Sequence, residues 1–477
     1  MSHKRSSGIL MAVSSLPGPY GIGSLGAGAY AFVDFLARAG QRYWQILPLV
    51  PPGDGASPYM SPSAFAGNPW FIDLDQLVEE GLLTRQETEQ ARFDDPDRVD
   101  YGWLARTRMS LLNRAWERSK SLPAPDDIPR LDWLEDYAAF AALHDQFGCS
   151  WQQWPADAVP EPERVAFHRF LQTTFYRQWF ALKRYANEKG VRIMGDIPIY
   201  LSGDSVEMWK QPELFQRDGD GRLKAVAGVP PDAFCEDGQL WGNPLYDWDG
   251  NRAGVFDFWQ RRIGWCAQLY NAVRIDHFRA FHTYWSVPVG AETAREGHWC
   301  PGPGMELLNA LRRAQPGLEL IAEDLGDLDA QALEFVRTSG IPGMKVLVFA
   351  FDPYAESAYL PHNCYGDCVV YTGTHDTPTF VQWLNEGESE QTAYARNYLR
   401  LRGEEGLGWG VIAGAWATAA RLAIAPMQDV LGLGGDARMN APGTMGDHNW
   451  TWRVRAEALN DHVSGRLREL THIYRRD

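Results

Sequence analysis

Three segments of the chain place carboxylate side chains at or just after apolar, strand-like runs. Asp276 lies in the run 272–279, Glu323 lies near the end of the run 318–325, and Asp376 ends the run 368–376. Burial at the end of a strand raises the pKa of a carboxyl toward the range in which it can act as a general acid. Two carboxylates about 5–5.5 Å apart can cleave a glycosidic bond with retention, one as nucleophile and one as acid/base. If the segments meet in the fold, they predict this chemistry.

The residues alone leave the role of each acid open. Alternating side chains put Arg274 on the same strand face as Asp276, where the arginine would keep the carboxylate ionised for nucleophilic attack. An isolated pair of this kind is equally typical of a structural ion pair. Either Glu323 or Asp324 could be the second acid, and the other is expected to cap the following helix.

The third segment, 371–378, places a histidine directly before the acid. Asp376 could cap a helix that begins at Pro378. It could equally bind a pair of substrate hydroxyls, with His375 donating a hydrogen bond alongside it.

The elements that would position these residues are eight strand-like runs with helix-like segments between them. Several runs are almost continuously apolar until a polar residue near the C-terminal end, which is typical of parallel strands buried on both faces. Eight such strands in sequence predict a (β/α)8 barrel, with a doubly wound open sheet as the alternative. The runs are 8–15, 43–50, 191–200, 272–279, 318–325, 343–351, 368–376 and 424–432.

Uneven spacing between the runs predicts one catalytic barrel over 1–477 with two large insertions. The first, 51–190, is expected to be mostly helical, and the second, 201–255, to be rich in loops. A barrel carries such insertions at its active-site face.

Composition narrows the class of ligand. The net charge of −16 argues against nucleic acid and an anionic membrane as partners. No run approaches the roughly 18–20 apolar residues of a spanning helix. The 20 Trp, 19 Tyr and 21 Phe include many in loop-like surroundings, which favours stacking against sugar rings. Six scattered cysteines suggest neither a disulfide framework nor a zinc site, and we expect a cytoplasmic protein.

The stretch 21–26 satisfies the G-x-G-x-x-G pattern of dinucleotide-binding proteins. The seven residues 14–20, two of them proline, separate these glycines from the first strand, and the second strand ends without a ribose-binding acid. We therefore interpret 21–26 as a loop turn. The Asp-Gly-Asp-Gly run 218–221 lacks the later ligands of a calcium loop and is interpreted as a hairpin turn.

With these residues in place, the sequence resembles the amylomaltase family, the 4-α-glucanotransferases or disproportionating enzymes of glycoside hydrolase family 77. The resemblance extends from about residue 8 to residue 453. Its ordered blocks are SSLPGPYGIGSLG (14–26), WQILPL (44–49), SPYMSPSAFAGNP (57–69), GDIPIYLSGDSVEMW (195–209), GVPPDAFCEDGQLWGNPLYDW (228–248), RIDHFRAF (274–281), IAEDLG (321–326), GTHDTPT (373–379) and RMNAPGT (438–444).

The resemblance implies roles that the residues alone leave open. It implies Asp276 as nucleophile, Glu323 as acid/base and Asp376 as transition-state stabiliser. It also implies a lid loop over 228–248. The remaining substrate-binding residues that it implies are Arg274, His277 and His375 around the reacting sugar, Asp232 and Trp241 on the lid, and Tyr59.

The resemblance further implies that no metal or organic cofactor takes part. The expected donors are α-1,4-glucans and maltooligosaccharides, the expected acceptors are glucose or a glucan, and the protein is expected to be a monomer or homodimer. Two departures from the family pattern, Met60 in place of glutamine and Cys235 in place of serine, lie away from the three acids. The competing hypotheses are a retaining α-1,4-glucan hydrolase, a non-catalytic glucan-binding barrel and a dinucleotide-dependent oxidoreductase.

Overall fold

The computed structural model describes residues 4–121, 131–231, 236–401, 403, 406–444, 446 and 448–477. Its strands are β1 (Ser6–Leu10), β2 (Tyr43–Gln45), β3 (Arg192–Ile197), β4 (Ala225–Val229), β5 (Gln239–Pro244), β6 (Ala272–Ile275), β7 (Thr283–Pro288), β8 (His298–Pro301), β9 (Glu319–Ala322), β10 (Met344–Val346), β11 (Tyr365–Tyr371) and β12 (Ala419–Pro426).

The described α-helices alternate with these strands along much of the chain. They are α1 (Ala27–Arg38), α2 (Leu74–Glu79), α3 (Arg85–Thr88), α4 (Tyr101–Ser119), α5 (Leu134–Phe147), α6 (Pro162–Glu188), α7 (Val206–Lys210), α8 (Arg252–Leu269), α9 (Gly304–Ala314), α10 (Ala330–Ser339), α11 (Phe380–Glu386), α12 (Ser389–Tyr398), α13 (Leu407–Ala417), α14 (Met427–Val430) and α15 (Asp461–Ile473).

Eight strands form one parallel sheet in the order β10-β11-β12-β1-β2-β3-β6-β9. A parallel bridge between Ala322 and Gly343 connects the end of β9 to the chain entering β10, so the sheet closes on itself. Each strand lies in or overlaps one of the eight predicted runs. The predicted (β/α)8 barrel is confirmed, and the open doubly wound sheet is excluded.

The barrel strands are apolar because both of their faces are covered. All four residues of β6 are buried, and the only charged one, Arg274, points into the barrel's ion network. Gly195 in β3 shows how closely the outer layer approaches, because a Cβ there would lie 2.4 Å from the ring of Tyr270. A strand buried on both faces loses the apolar–polar alternation of a half-exposed one.

Two long segments leave the barrel. Helices α2 to α6 lie between β2 and β3, and α6 alone spans 27 residues. Between β3 and β6 the chain forms α7, the strands β4 and β5, and α8. Strands β4 and β5 join β7 and β8 in a four-stranded antiparallel sheet of order β5-β4-β7-β8. We predicted a loop-rich segment over 201–255 and did not predict this sheet.

The glycine-rich stretch 21–26 is held by the chain itself. The Gly23 amide donates to the Ser14 carbonyl at 2.9 Å, and a Cβ on Gly23 would lie 1.9 Å from the Val13 carbonyl oxygen. These glycines are therefore explained by close packing of a loop. In the other predicted turn, the Asp218 amide donates to the Arg222 carbonyl at 2.8 Å and closes a hairpin.

Within the described residues, no helix combines the length and the apolar character needed to cross a membrane. The five cysteines in the same part of the chain are all free thiols, and the sixth, Cys235, lies outside it.

Candidate active site

The three predicted acids follow strands of the barrel at the same end. Asp276 comes directly after β6, Glu323 directly after β9, and Asp376 five residues after β11. Backbone hydrogen bonds continue past the strands: the Asp276 amide donates to the Ile197 carbonyl and the Glu323 amide to the Ile275 carbonyl, each at 3.0 Å. The parallel register therefore places all three carboxylates on the C-terminal rim, where barrel enzymes hold their active sites.

Arg274 is the cation at the centre of this rim. Its Nη1 lies 2.8 and 2.7 Å from the two carboxylate oxygens of Asp196 on β3, and its Nη2 lies 3.0 Å from Asp276 Oδ1. The Arg274 side chain is only 4% exposed, whereas that of Asp276 is 27% exposed. Tyr59 donates its hydroxyl to Asp196 Oδ2 at 2.7 Å. The arginine thus links a buried acid to a partly open one.

Burial raises the pKa of Asp276, and the nearby positive charge of Arg274 opposes that rise. Burial also raises the pKa of Glu323, and there the charge of Asp276 adds to the rise. Arg274 acts more strongly on the aspartate, with which it forms a direct ion pair. At neutral pH this arrangement favours an ionised Asp276 beside a protonated Glu323, as a nucleophile and a general acid require.

Glu323 and Asp324 have different surroundings. Glu323 accepts hydrogen bonds from the amides of His277 at 2.7 Å and Leu325 at 3.0 Å, which fix its carboxylate beside the end of β6. Asp324 accepts from the amide of Met344 at 2.7 Å and so joins β9 to β10. Neither acid caps the following helix, because Asp329 caps α10. The expectation of a cap at this pair was wrong.

Asp376 is held from two sides. Asn440 donates to Oδ1 at 2.6 Å, and His375 Nε2 lies 3.1 Å from Oδ2. Burial alone would raise the pKa of Asp376, but the charge and hydrogen bond of His375 and the hydrogen bond of Asn440 lower it to about 2. Asp376 does not cap a helix: Thr379 is the N-cap of α11. The alternative of a capping role at Asp376 is therefore excluded.

Aromatic rings surround the acids. Tyr59 stacks on His375 with ring centroids 5.2 Å apart and an angle of 9°, and Trp450 lies 5.9 Å from His375. On the other side Trp241, in β5, meets the His277 ring edge-on at 4.9 Å.

His277 has an unusual backbone and a neutral ring. Its φ of +48° lies in the left-handed region, which costs free energy for a residue with a side chain. Burial and the charge of Arg279 lower its pKa to about 4. Its Nε2 is buried and has no hydrogen-bond partner within the described part of the chain.

These side chains border a cavity of about 630 Å³, a size typical of small-molecule sites. Of the predicted site residues, Tyr59, Trp241, Asp276, His375 and Asp376 line it. Arg274 lies beneath the cavity. Glu323 accepts a hydrogen bond from the amide of His277, the residue after Asp276, and the His277 ring packs against Trp241. Asp232 lies outside the described residues.

Two site residues escaped the sequence reasoning. Asp196 interrupts the apolar strand β3, and that interruption was a usable signal. Asn440 lies in the block 438–444, whose asparagine gave no indication of contact with an acid 64 residues earlier. Within the described residues, no group of three His, Cys, Asp or Glu side chains lies close enough together to hold a metal ion.

Fold and site together define a barrel enzyme acting on carbohydrate: carboxylates meet on the C-terminal rim beneath an aromatic-walled cleft. The family model described as 4-alpha-glucanotransferase matches residues 11–459. The chain therefore belongs to the 4-alpha-glucanotransferase family, as its motifs predicted, and is a glycosyl-transferring enzyme.

Individual relatives agree over the full length. The chain is 44% identical to the 4-alpha-glucanotransferase of Clostridium butyricum, over 98% of this chain and all of that protein. It is 42% identical to that of Thermus thermophilus over all of both chains. Its structure matches that of the amylomaltase from Streptococcus agalactiae in complex with acarbose with a TM-score of 0.94, at 41% identity over 99% of this chain and all of the other.

Proposed function

We propose that this protein transfers α-1,4-glucan segments from a donor maltooligosaccharide to the 4-hydroxyl of an acceptor glucose or glucan. The observation that carries the proposal is the pairing of Asp276 and Glu323 at the ends of adjacent strands β6 and β9. The two acids share one rim, and Arg274 favours ionisation of the aspartate over the glutamate.

In the first step the ionised Asp276 carboxylate attacks the anomeric carbon of the donor. Glu323 gives its proton to the glycosidic oxygen as the bond breaks, so the shortened glucan leaves with a free 4-hydroxyl. The product is a covalent β-glucosyl ester on Asp276.

In the second step Glu323, now ionised, takes the proton from the 4-hydroxyl of the acceptor. The acceptor oxygen attacks the anomeric carbon and displaces Asp276. An α-1,4 bond is remade, and both carboxyls return to their starting states.

The neighbouring residues favour the transition state over the bound sugar. The low pKa of Asp376 keeps it ionised, so it can bind the 2- and 3-hydroxyls as the ring flattens and positive charge develops. His375 donates alongside it. The neutral His277 ring packs against Trp241, and we propose that its unpartnered Nε2 binds a further hydroxyl once Trp241 moves with the lid. Tyr59 offers an aromatic face on the cavity wall.

Transfer requires that a sugar outcompete water. We propose that 228–248 acts as the lid: Trp241 on β5 covers the Asp276 side of the cavity, and Asp232 contributes on the acceptor side. In the loop between β4 and β5, the exposed acids Glu236 and Asp237 pair with Arg295 at 2.7 and 2.8 Å. Exposed ion pairs contribute little, so we propose that this contact lets the loop between β4 and β5 move to admit an acceptor, while β4 stays paired with β7.

Incubation with maltotriose as the only substrate tests the proposal against its nearest rival, a retaining α-1,4-glucan hydrolase. Transfer yields glucose together with a ladder of longer oligosaccharides, whereas hydrolysis yields glucose and maltose alone. The Asp276→Asn variant gives the background rate. A product mixture without oligosaccharides longer than maltotriose contradicts the proposal.

The free thiols and the charge of −16 support a cytoplasmic setting and uncharged substrates. We place the reaction in the metabolism of maltose, glycogen or starch, with the enzyme acting as a monomer or homodimer without metal or organic cofactor.

A further inference from the structure

A second cavity lies outside the barrel, on the side of helices α5, α7 and α8. Its volume is about 380 Å³, and its described lining shares no residue with that of the catalytic cavity. The lining combines a buried floor with an open rim. It consists of Ser63, Phe65, Asp132, Trp133, Asp136, Tyr137, Val206, Glu207, Lys210, Gln211, Arg261, Gly264, Trp265, Gln268 and Gln315.

Two polar atoms in this wall lack partners within the described part of the chain. Glu207 is 3% exposed; its Oε1 accepts from the Ala64 amide at 2.9 Å, whereas its Oε2 has no hydrogen bond. The indole Nε1 of Trp133 is likewise buried and unpartnered. Leaving such groups unsatisfied costs free energy, so a buried pair of them beside a cavity indicates a missing polar ligand.

The rest of the wall has the composition of a sugar site. Phe65, Trp133, Tyr137 and Trp265 supply aromatic surface, with the Trp133 and Trp265 rings 5.8 Å apart. The rim adds Gln211, Gln268 and Gln315, whose side-chain amides form no hydrogen bonds within the described residues. Aromatic faces bind the apolar faces of sugar rings, while amides and carboxyls bind hydroxyls in both donor and acceptor roles.

The charges of the rim cancel. Two acids, Asp132 and Asp136, and two bases, Lys210 and Arg261, line it, and Lys210 lies 3.6 Å from Asp136. Burial also raises the pKa of Glu207 to about 7, so this carboxyl adds little charge below neutral pH and can donate a hydrogen bond. A site without net charge favours a neutral ligand over an anion or a cation.

We propose that this cavity is a second glucan-binding site, which holds one or two glucosyl units of an α-1,4-glucan away from the reacting end. Its identification with glucan rests on the proposed function, because the wall itself specifies only a neutral, polyhydroxylated ring. Occupancy would anchor a long donor through a second contact and raise the local concentration of its ends at the barrel rim.

The number of sites can be counted by calorimetric titration of the slow Asp276→Asn variant with maltotriose. Gly264 offers a way to fill only the second cavity: it lines that cavity, and a Cβ there would first meet the flexible end of Gln315 at 3.4 Å. We expect two binding sites in Asp276→Asn and one in Asp276→Asn/Gly264→Leu. Gly465→Leu, in α15 with open space around its Cβ, is the matched control and retains both sites.

Glu207→Gln and Trp133→Phe provide an independent check: the first alters one unpartnered group at unchanged shape, and the second removes the other unpartnered group while keeping an aromatic ring. Each is expected to weaken the second site at least tenfold and to leave the first unchanged. A single site in Asp276→Asn, or two sites that survive Gly264→Leu, overturns the proposal. A maltotriose ladder from the Gly264→Leu enzyme, equal to that of the unmodified one, shows separately that transfer stands whatever the outcome of the titration.

Discussion

The two ends of strand β9 carry glutamates in opposite electrostatic surroundings. At the N-terminal end, Glu319 lies 2.8 Å from Arg192 and 2.7 Å from Arg421, and the Tyr43 hydroxyl donates to it at 3.1 Å. At the C-terminal end, Glu323 lies in a group of acids that shares Arg274 as its principal cation. The bottom of the barrel thus has two arginines around one acid, and the rim has several acids around one arginine.

This difference separates stability from chemistry within one sheet. A carboxylate between two arginines joins neighbouring strands. A carboxylate next to other acids in a partly buried site has a raised pKa and can move protons near neutral pH. The acids of the rim therefore repel one another, whereas a purely structural cluster would pair each acid with a positive charge.

The largest effect is expected from Glu323→Gln, which removes the mobile proton from the rim. We expect kcat with maltotriose to fall by roughly 10²- to 10⁴-fold, because a glycosidic oxygen is a poor leaving group without a proton. A maltosyl fluoride donor, whose leaving group needs little protonation, is expected to recover much of the first step. Equal losses with both donors contradict the assignment of Glu323 as the acid.

The same residue pair sets the pH dependence. Activity falls at low pH as Asp276 becomes protonated and at high pH as Glu323 loses its proton. Since both pKa values are raised, both limbs lie above the ordinary carboxyl range. In kcat/KM measured with maltotriose, the residual activity of Glu323→Gln is expected to keep the acid limb and lose the alkaline one. An alkaline limb that persists points to a different general acid.

An intermediate effect is expected at Asp196, which supports Arg274 from below. Asp196→Asn leaves the buried guanidinium of Arg274 with the partly exposed Asp276 as its main anionic partner. It also weakens the hydrogen bond that the Tyr59 hydroxyl donates to residue 196. Removing one member of a buried ion pair typically costs about 3–5 kcal/mol. Chemical denaturation measures this loss. Kinetics should show a fall in kcat rather than a rise in KM, since the displaced groups position the nucleophile.

The barrel strands and the three acids could be predicted from the sequence, whereas the antiparallel sheet and the contact of Asp196 could not. The barrel strands could be predicted because burial on both faces leaves long apolar runs, and the three acids because they end such runs. The antiparallel sheet was missed because its strands are short and pair across the chain, as when Val226 meets Val287. Asp196 lies 78 residues from Arg274, a distance at which no local pattern reveals a contact.

The smallest effect on activity is expected from the same substitution at the other end of β9, Glu319→Gln. It leaves Arg192 and Arg421 with one fewer negative partner and weakens the links among β2, β3, β9 and β12. A charge-assisted hydrogen bond such as that from Arg192 to Glu319 contributes about 1.5–3 kcal/mol, so unfolding should occur at lower denaturant while kcat and KM stay unchanged.

Glu323→Gln is the matched control for Glu319→Gln. The same change four residues later in the chain is expected to lower kcat and to leave the links between the strands intact. Because the pKa of Glu323 is raised to about 7, the unfolded chain releases this proton at lower pH than the folded protein does, so stability falls as pH rises from the ordinary carboxyl range to that pKa. The glutamine variant should therefore show a smaller loss of stability between the ordinary carboxyl range and about pH 7, together with its large loss of activity. If Glu319→Gln instead slows transfer at unchanged stability, the division of β9 into a structural end and a chemical end is wrong.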